Sequence, residues 1–201
     1  MKIHKLAAID IGSNSVRLLV SNVMSDKKET LFKKSSLTRL PVRLGADAFS
    51  KGKITNKTLD RLTTAMNAYS NIMSVHGVER YRACATSALR EAANGKEVVE
   101  HILKETGINI ELIDGKEEAK IIFNSDLIGS IRDQEDTFLY IDVGGGSTEL
   151  TLFHNDNIIS SRSFKIGTIR LLKGKVDKEL WDEMKVWIKA ETKEFSDILM
   201  V

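Results

Sequence analysis

The feature that most constrains this chain is a short motif that occurs twice. The segments 10–20 (DIGSNSVRLLV) and 142–152 (DVGGGSTELTL) lie 132 residues apart. Asp10 matches Asp142, Gly12 matches Gly144, Ser15 matches Ser147 and Leu18 matches Leu150. Each segment follows an apolar run of strand character, Lys5–Ile9 and Phe138–Ile141, and leads into β-rich sequence. Each therefore reads as strand, tight Gly/Ser turn, strand, and the two together read as a duplication. A chain that starts two long segments with the same hairpin is expected to build two related α/β units.

The chemistry of such a turn follows from its residue types. Small residues let successive backbone N–H groups point into one concavity, which suits a phosphate oxygen. Ser hydroxyls add donors. The candidate phosphate-binding residues are therefore Gly12, Ser13, Asn14 and Ser15 in the first copy, and Gly144, Gly145, Gly146 and Ser147 in the second. An Asp ending the preceding strand cannot sit against a bare phosphate, so it is expected to address a divalent metal or its waters. Two such hairpins, one per unit, are expected to face each other across a phosphate chain. The bland alternative is a pair of ordinary hairpin turns.

The intervening sequence reads as βββαβαβα. Strands are expected over 16–23, about 29–35, Arg80–Ala85 and Ile108–Ile113. A helix is expected over Thr55–Val75, where Leu59, Leu62, Met66, Tyr69 and Met73 fall on one face. Two more follow, over Glu97–Glu105 with Gly107 closing it and over Asp114 to about Gly129. In the second unit a helix is expected over Asp177–Leu199, burying Leu180, Met184, Trp187, Ile188 and Ile198. The repeat offset puts the counterpart of strand 80–85 near position 212. The lobes are thus expected at 1–133 and 134–201, the second one partial.

Composition excludes several classes. With 30 Lys plus Arg against 28 Asp plus Glu, the net charge of +2 makes no whole-chain case for nucleic-acid binding. Cys84 is the single cysteine, which excludes an internal disulfide and a cysteine-based zinc site and fits a reducing compartment. No apolar run approaches the ~20 residues of a membrane helix. The short run before Asp10 is no secretory signal, so no membrane partner and a cytoplasmic location are expected. There is no phosphate loop of the GxxxxGK[ST] type and no GxSxG elbow. His4, His76, His101 and His154 are not at metal-ligand spacing. Residues 26–53 form the one locally basic stretch. Lys27, Lys28, Lys33 and Lys34 there read as edge-strand lysines that block aggregation. Arg39 and Arg43 stay open between that role and a polyanion guide.

Two further positions carry possible chemistry. Asp114 suits a helix N-cap with Glu117 at N3, so capping accounts for Glu117 but not for Glu118. A carboxylate in that first turn can orient or deprotonate a water, although acids are common there for dipole reasons alone. Thr86 and Ser87 follow a strand and can open a helix, with Arg90 one turn in. That Arg reads equally as a bidentate phosphate contact and as a solvated helix residue.

Four motifs together resemble one family. Ala8–Ser15, Ala85–Ala92, Gly115–Ala119 and Ile141–Glu149 occur in the order and spacing of the exopolyphosphatase / guanosine pentaphosphate phosphohydrolase family, within the actin-like ATPase superfamily. Val42–Gly45 and Gly167–Leu171 resemble weaker family patterns. The resemblance implies an actin-like, ribonuclease H-like α/β fold of duplicated lobes. It implies a hydrolase that releases terminal phosphate from inorganic polyphosphate or guanosine pentaphosphate, with Mg2+ or another divalent cation. On matching positions it makes Glu118 and Glu149 the catalytic acids, Asp142 with Glu149 the metal-associated pair, and Arg90 a phosphate-binding arginine. A homodimer is the assembly such families suggest. Two alternatives stay open: an actin-like ATP-binding kinase or nucleotide switch, and a polyphosphate-binding domain without catalysis.

Overall fold

The computed structural model describes residues 2–25, 30–124, 136–155, 157–195 and 198–201. They pack into two compact units, Met1–Leu112 and Ile113–Val201.

The first unit runs β1 (Lys2–Ile11), β2 (Val16–Ser25), β3 (Thr30–Leu40), α1 (Leu44–Lys51), α2 (Asn56–His76), β4 (Arg80–Ala85), α3 (Ser87–Glu91), α4 (Gly95–Thr106) and β5 (Ile110–Leu112). The sheet order is β3-β2-β1-β4-β5. The first three strands pair antiparallel, while β4 and β5 run parallel to β1. Alternation in β2 buries Val16, Leu18 and Val20 and leaves Arg17 exposed, so one sheet face is apolar. The helix period of α2 buries Leu62, Ala65, Met66, Tyr69 and Met73. At Tyr69 the hydroxyl donates to the Val16 carbonyl at 2.9 Å and lies 3.2 Å from that of Thr38. Burial pushes this phenol up to about 12. Asp47, itself buried, joins α1 to α2. It accepts from the Thr55 N–H at 3.1 Å, the Thr55 hydroxyl at 2.5 Å and the Lys51 ammonium at 2.9 Å.

The second unit runs α5 (Gly115–Phe123), β6 (Thr137–Val143), β7 (Thr148–His154), β8 (Asn157–Phe164), α6 (Thr168–Leu172), α7 (Lys178–Glu191) and β9 (Leu199–Met200). Its order, β8-β7-β6-β9, repeats β3-β2-β1-β4, again with the outer strand parallel to the first. Two mixed sheets of one topology with flanking helices agree with duplicated actin-like lobes. Strand β7 is buried on both faces. Leu139, Leu150 and Leu152 pack with Met184 and Trp187 of α7. On the opposite face Phe138 and Phe153 stack at 4.8 Å, and Phe123 of α5 stacks on Phe153 at 5.3 Å.

Helix α5 packs with the second unit, because its apolar residues Ile122 and Phe123 cover β6 and β7. The structure departs from the sequence expectations in three places. The helix expected over Asp177–Leu199 ends at Glu191, and Leu199–Met200 is a strand. That strand occupies the place of β4 near 200 rather than 212, and α7, with 14 residues where α2 has 21, accounts for seven of the residues between. Helix α1 was not expected, since its eight residues are too few to show a period. Lys33 and Lys34 do lie exposed on an edge strand, whereas Lys27, Lys28 and residues 125–129 of the expected helix lie outside the described residues.

Candidate functional site

Each hairpin is braced from the segment that follows the third strand of its unit. In the first, the Gly12 N–H donates to the Ser15 carbonyl at 3.1 Å. The carbonyls of Ser13 and Asn14 accept from the N–H groups of Gly45 (2.7 Å) and Arg43 (3.0 Å). Side chains complete the bracing. The Ser13 hydroxyl lies 3.1 Å from that of Ser87, and the Ser15 hydroxyl accepts from Arg39 Nε at 3.0 Å. With the carbonyls turned inward, the N–H groups of Ser13, Asn14 and Ser15 meet no acceptor among the described residues. That is the donor array an anion needs.

The second hairpin repeats the device. The Gly144 N–H donates to the Ser147 carbonyl at 2.9 Å, while Thr168 N–H and Ile169 N–H donate to the carbonyls of Gly144 (3.0 Å) and Gly145 (2.9 Å). Arg170 Nε reaches the Gly146 carbonyl at 2.6 Å. Gly167 makes this approach feasible, since a Cβ there would stand 2.5 Å from the Gly145 oxygen. Again no described acceptor faces the N–H groups of Gly145, Gly146 and Ser147.

The two copies differ in charge. Strand register sets Asp10 opposite Arg17 in the first unit and Asp142 opposite Glu149 in the second. Arg17 meets Asp10 at 2.9 Å. Burial raises the Asp10 carboxyl pKa and the guanidinium pulls it back only in part. In the second unit two carboxylates oppose each other directly, an arrangement that destabilises a sheet unless a cation joins them. Glu149 is 6% exposed, and its Oε1 accepts from the hydroxyls of Ser147 (2.6 Å) and Ser163 (2.8 Å).

Glu118 joins this acid pair through α5. The Asp114 carboxylate caps the helix by accepting from the Glu117 N–H at 2.8 Å, as the sequence indicated. One residue on, Glu118 is half-buried. The Tyr140 hydroxyl feels it directly: burial, then the carboxylates of Asp142 and Glu118, raise that phenol above its ordinary value. Glu118, Asp142, Glu149 and the Gly144–Ser147 turn are thus collected in the second unit. Gly12–Ser15 belong to the first, where Ser87 at the start of α3 touches Ser13 and Arg90 sits half-buried in the same short helix.

Among the described residues no group of three or more His, Cys, Asp and Glu is arranged to hold a metal. Asp142 and Glu149 instead offer two hard oxygen donors. That set fits a hard divalent cation such as Mg2+, which keeps several waters and takes phosphate oxygens rather than a full protein cage. Sequence reasoning missed Ser163 and Tyr140 as parts of these clusters, and it singled out Ser87 and Arg39 without their hairpin partners. Only tertiary pairing brings them to the hairpins. Their one available signal was alternation along a strand, which does not name a partner.

Duplicated α/β units, each presenting a braced Gly/Ser hairpin with N–H groups that meet no described acceptor, one of them beside an opposed Asp/Glu pair, define a protein of actin-like class. The model of the Ppx/GppA phosphatase family matches residues 23–196, and the chain belongs to that family. A bifunctional 3-dehydroquinate synthase/phosphatase from Fusobacterium nucleatum is 33% identical over 202 residues, covering 95% of this chain and 30% of that protein. Exopolyphosphatase 2 of Mycobacterium tuberculosis is 33% identical over 178 residues, covering 85% of this chain and 54% of the relative. A crystal structure of an exopolyphosphatase from Cytophaga hutchinsonii superposes with a TM-score of 0.82 at 25% identity, covering 98% of this chain and 66% of that one. The chain therefore spans less than two thirds of the length of each of these relatives.

Proposed function

We propose that this chain carries the phosphate-releasing site of a phosphoanhydride hydrolase, acting on the terminal phosphate of inorganic polyphosphate or of guanosine pentaphosphate. The observation that carries this reading is the second hairpin, where Asp142 and Glu149 oppose each other across the strand pair at a turn whose Gly145, Gly146 and Ser147 N–H groups meet no described acceptor.

The roles follow from the chemistry of each group. The N–H groups at Gly144, Gly145, Gly146 and Ser147 hold phosphoryl oxygens as a preorganised donor set. Gly12, Ser13, Asn14, Ser15 and Arg90 are the phosphate contacts of the first unit. Asp142 and Glu149 would hold the divalent cation, which when bound neutralises charge on the phosphate oxygens. Glu118 orients the attacking water and takes its proton. No Ser, Cys or His nucleophile is required.

Residues 1–133 are read as one lobe and 134–201 as a partial second lobe, because the described residues of the second sheet repeat β1 to β4 without a counterpart of β5. A homodimer and a cytoplasmic location belong to the same reading. No described helix is long and apolar enough to cross a membrane.

The test is phosphate release from polyphosphate, guanosine pentaphosphate and ATP in parallel, with and without Mg2+. Release from either of the first two, dependent on Mg2+, is expected. Glu118→Gln is expected to slow it by about 10²-fold or more, the usual scale for a positioned acid–base group. Turnover of ATP alone, or a Glu118→Gln variant as active as the parent, refutes the reading.

A further inference from the structure

We infer that one face of the first sheet is a docking surface for an acidic amphipathic helix supplied from outside these 201 residues, which packs there as α5 packs on the second sheet. The duplication supplies the frame. With the offset of 132 residues, Tyr140 of β6 corresponds to Ala8 of β1, and Thr151 of β7 to Leu19 of β2. The registers agree, because the β2–β3 and β7–β8 pairings shift at the equivalent steps Val20/Ser21 and Leu152/Phe153. Leu37, opposite Leu19, therefore corresponds to Ser161, opposite Thr151.

The two equivalent faces differ in cover. In the second unit Ile122 and Phe123 of α5 pack on Phe138 and Phe153, with Tyr140 alongside, and Thr151 is 2% exposed. In the first unit Ala8 is exposed, Leu19 is half-buried and Leu37 is 57% exposed. The buried residues of β2, Val16, Leu18 and Val20, point to the opposite face, where Tyr69 of α2 reaches Val16. An antiparallel sheet can turn one face to water when that face is polar. The cross-strand row Ala8, Leu19 and Leu37 is apolar instead, and an apolar sheet face calls for a second layer.

Charge sets the chemistry of that layer. On one side of the apolar row stand Arg17 and Arg39, paired across β2 and β3. On the other side stand Arg80, paired with Leu6, and Lys34, paired with Ser21. All four are exposed, and Asp10 offsets Arg17. A helix with an apolar stripe and acids along both flanks matches a row bounded by cations on both sides. A second copy of the same face does not match, because it would set these cations against one another.

The experiment titrates the full chain into two fluorescently labelled synthetic helices and reads anisotropy. Both helices carry a Leu stripe; one has Glu along its flanks and the other Lys. The chain is used as parent, Leu37→Ser and Leu31→Ser. Leu31 is 56% exposed on the same strand but lies opposite Met24, on the other face of the sheet. The Glu-flanked helix is expected to bind the parent and Leu31→Ser alike, and Leu37→Ser about tenfold more weakly, the scale of one apolar side chain returned to water. The Lys-flanked helix is expected to bind all three at least about tenfold more weakly than the Glu-flanked helix binds the parent. Light scattering without peptide is expected to give the parent and Leu37→Ser the same mass. The inference is overturned if the Glu-flanked helix does not bind, if the two helices bind alike, or if Leu37→Ser binds like the parent. Equal weakening in Leu31→Ser overturns it too, as does a dimer that Leu37→Ser dissolves, which would make a second copy the occupant.

Discussion

Replacing Glu149 by Gln should make the protein more stable in the absence of divalent cation while removing its ability to bind one. The register pairs Glu149 with Asp142 across β6 and β7. Residues opposed in this way have Cβ atoms about 5 Å apart, which sets the scale of the charge separation. At an effective dielectric of about 20 the two charges repel by roughly 3 kcal/mol. Asp142 is only half-buried, so solvent screening should leave about 1 to 2 kcal/mol. Gln keeps the volume and retains an oxygen to accept from Ser147 and Ser163. For a chain of this size that relief corresponds to a rise in Tm of about 2–8 °C. The assay is thermal unfolding in a chelator, repeated with excess Mg2+. The parent should gain stability on adding the ion and the variant should not. A variant less stable than the parent in chelator would refute the argument that these two carboxylates repel each other across the strand pair. A variant still stabilised by Mg2+ would refute their assignment as its ligands.

Two further outcomes test the fold around the hairpins. Gly167→Ala puts a Cβ 2.5 Å from the Gly145 oxygen and the Gly146 carbonyl carbon, so the glycine turn must shift; a cost of about 1–3 kcal/mol and weaker phosphate binding are expected, by denaturant unfolding and calorimetry. At Asp47 burial alone would raise the carboxyl, but bonds from Thr55, Thr58 and Lys51 override it and hold the pKa well below the usual carboxylate range. Its contribution is therefore full above the unfolded pKa near ~3.9 and is lost as pH falls below that. Asp47→Ala should cost about 2 kcal/mol at neutral pH, narrowing in denaturant titrations at pH 3; a gap that does not narrow would refute the assignment.

Much of the hairpin architecture was legible in one dimension. The turns at 12–15 and 144–147, the cap at Asp114 and the apolar stripe of α2 are local patterns, and each depends on neighbours within about one helical turn or one hairpin. The acids Glu118, Asp142 and Glu149 could be named from motifs because they sit at fixed steps from those turns. Their environment was not legible. The Asp10–Arg17 pair and the Asp142–Glu149 pair occupy equivalent register positions, yet one joins unlike charges and the other sets two acids opposite each other.

What the sequence by itself determined, then, is the duplication, most of the order of the elements and the two Gly/Ser hairpins, because periodicity and turn chemistry act over short distances along the chain. Only the tertiary structure decided that α5 packs with the second sheet, that β9 takes the place of β4 after a shorter helix, and that the Ser163 hydroxyl meets Glu149. The physical reason is common to all three. Apolar burial and strand register join residues far apart along the chain, such as Gly115 with Ser163, and neither is encoded by the spacing of one segment alone.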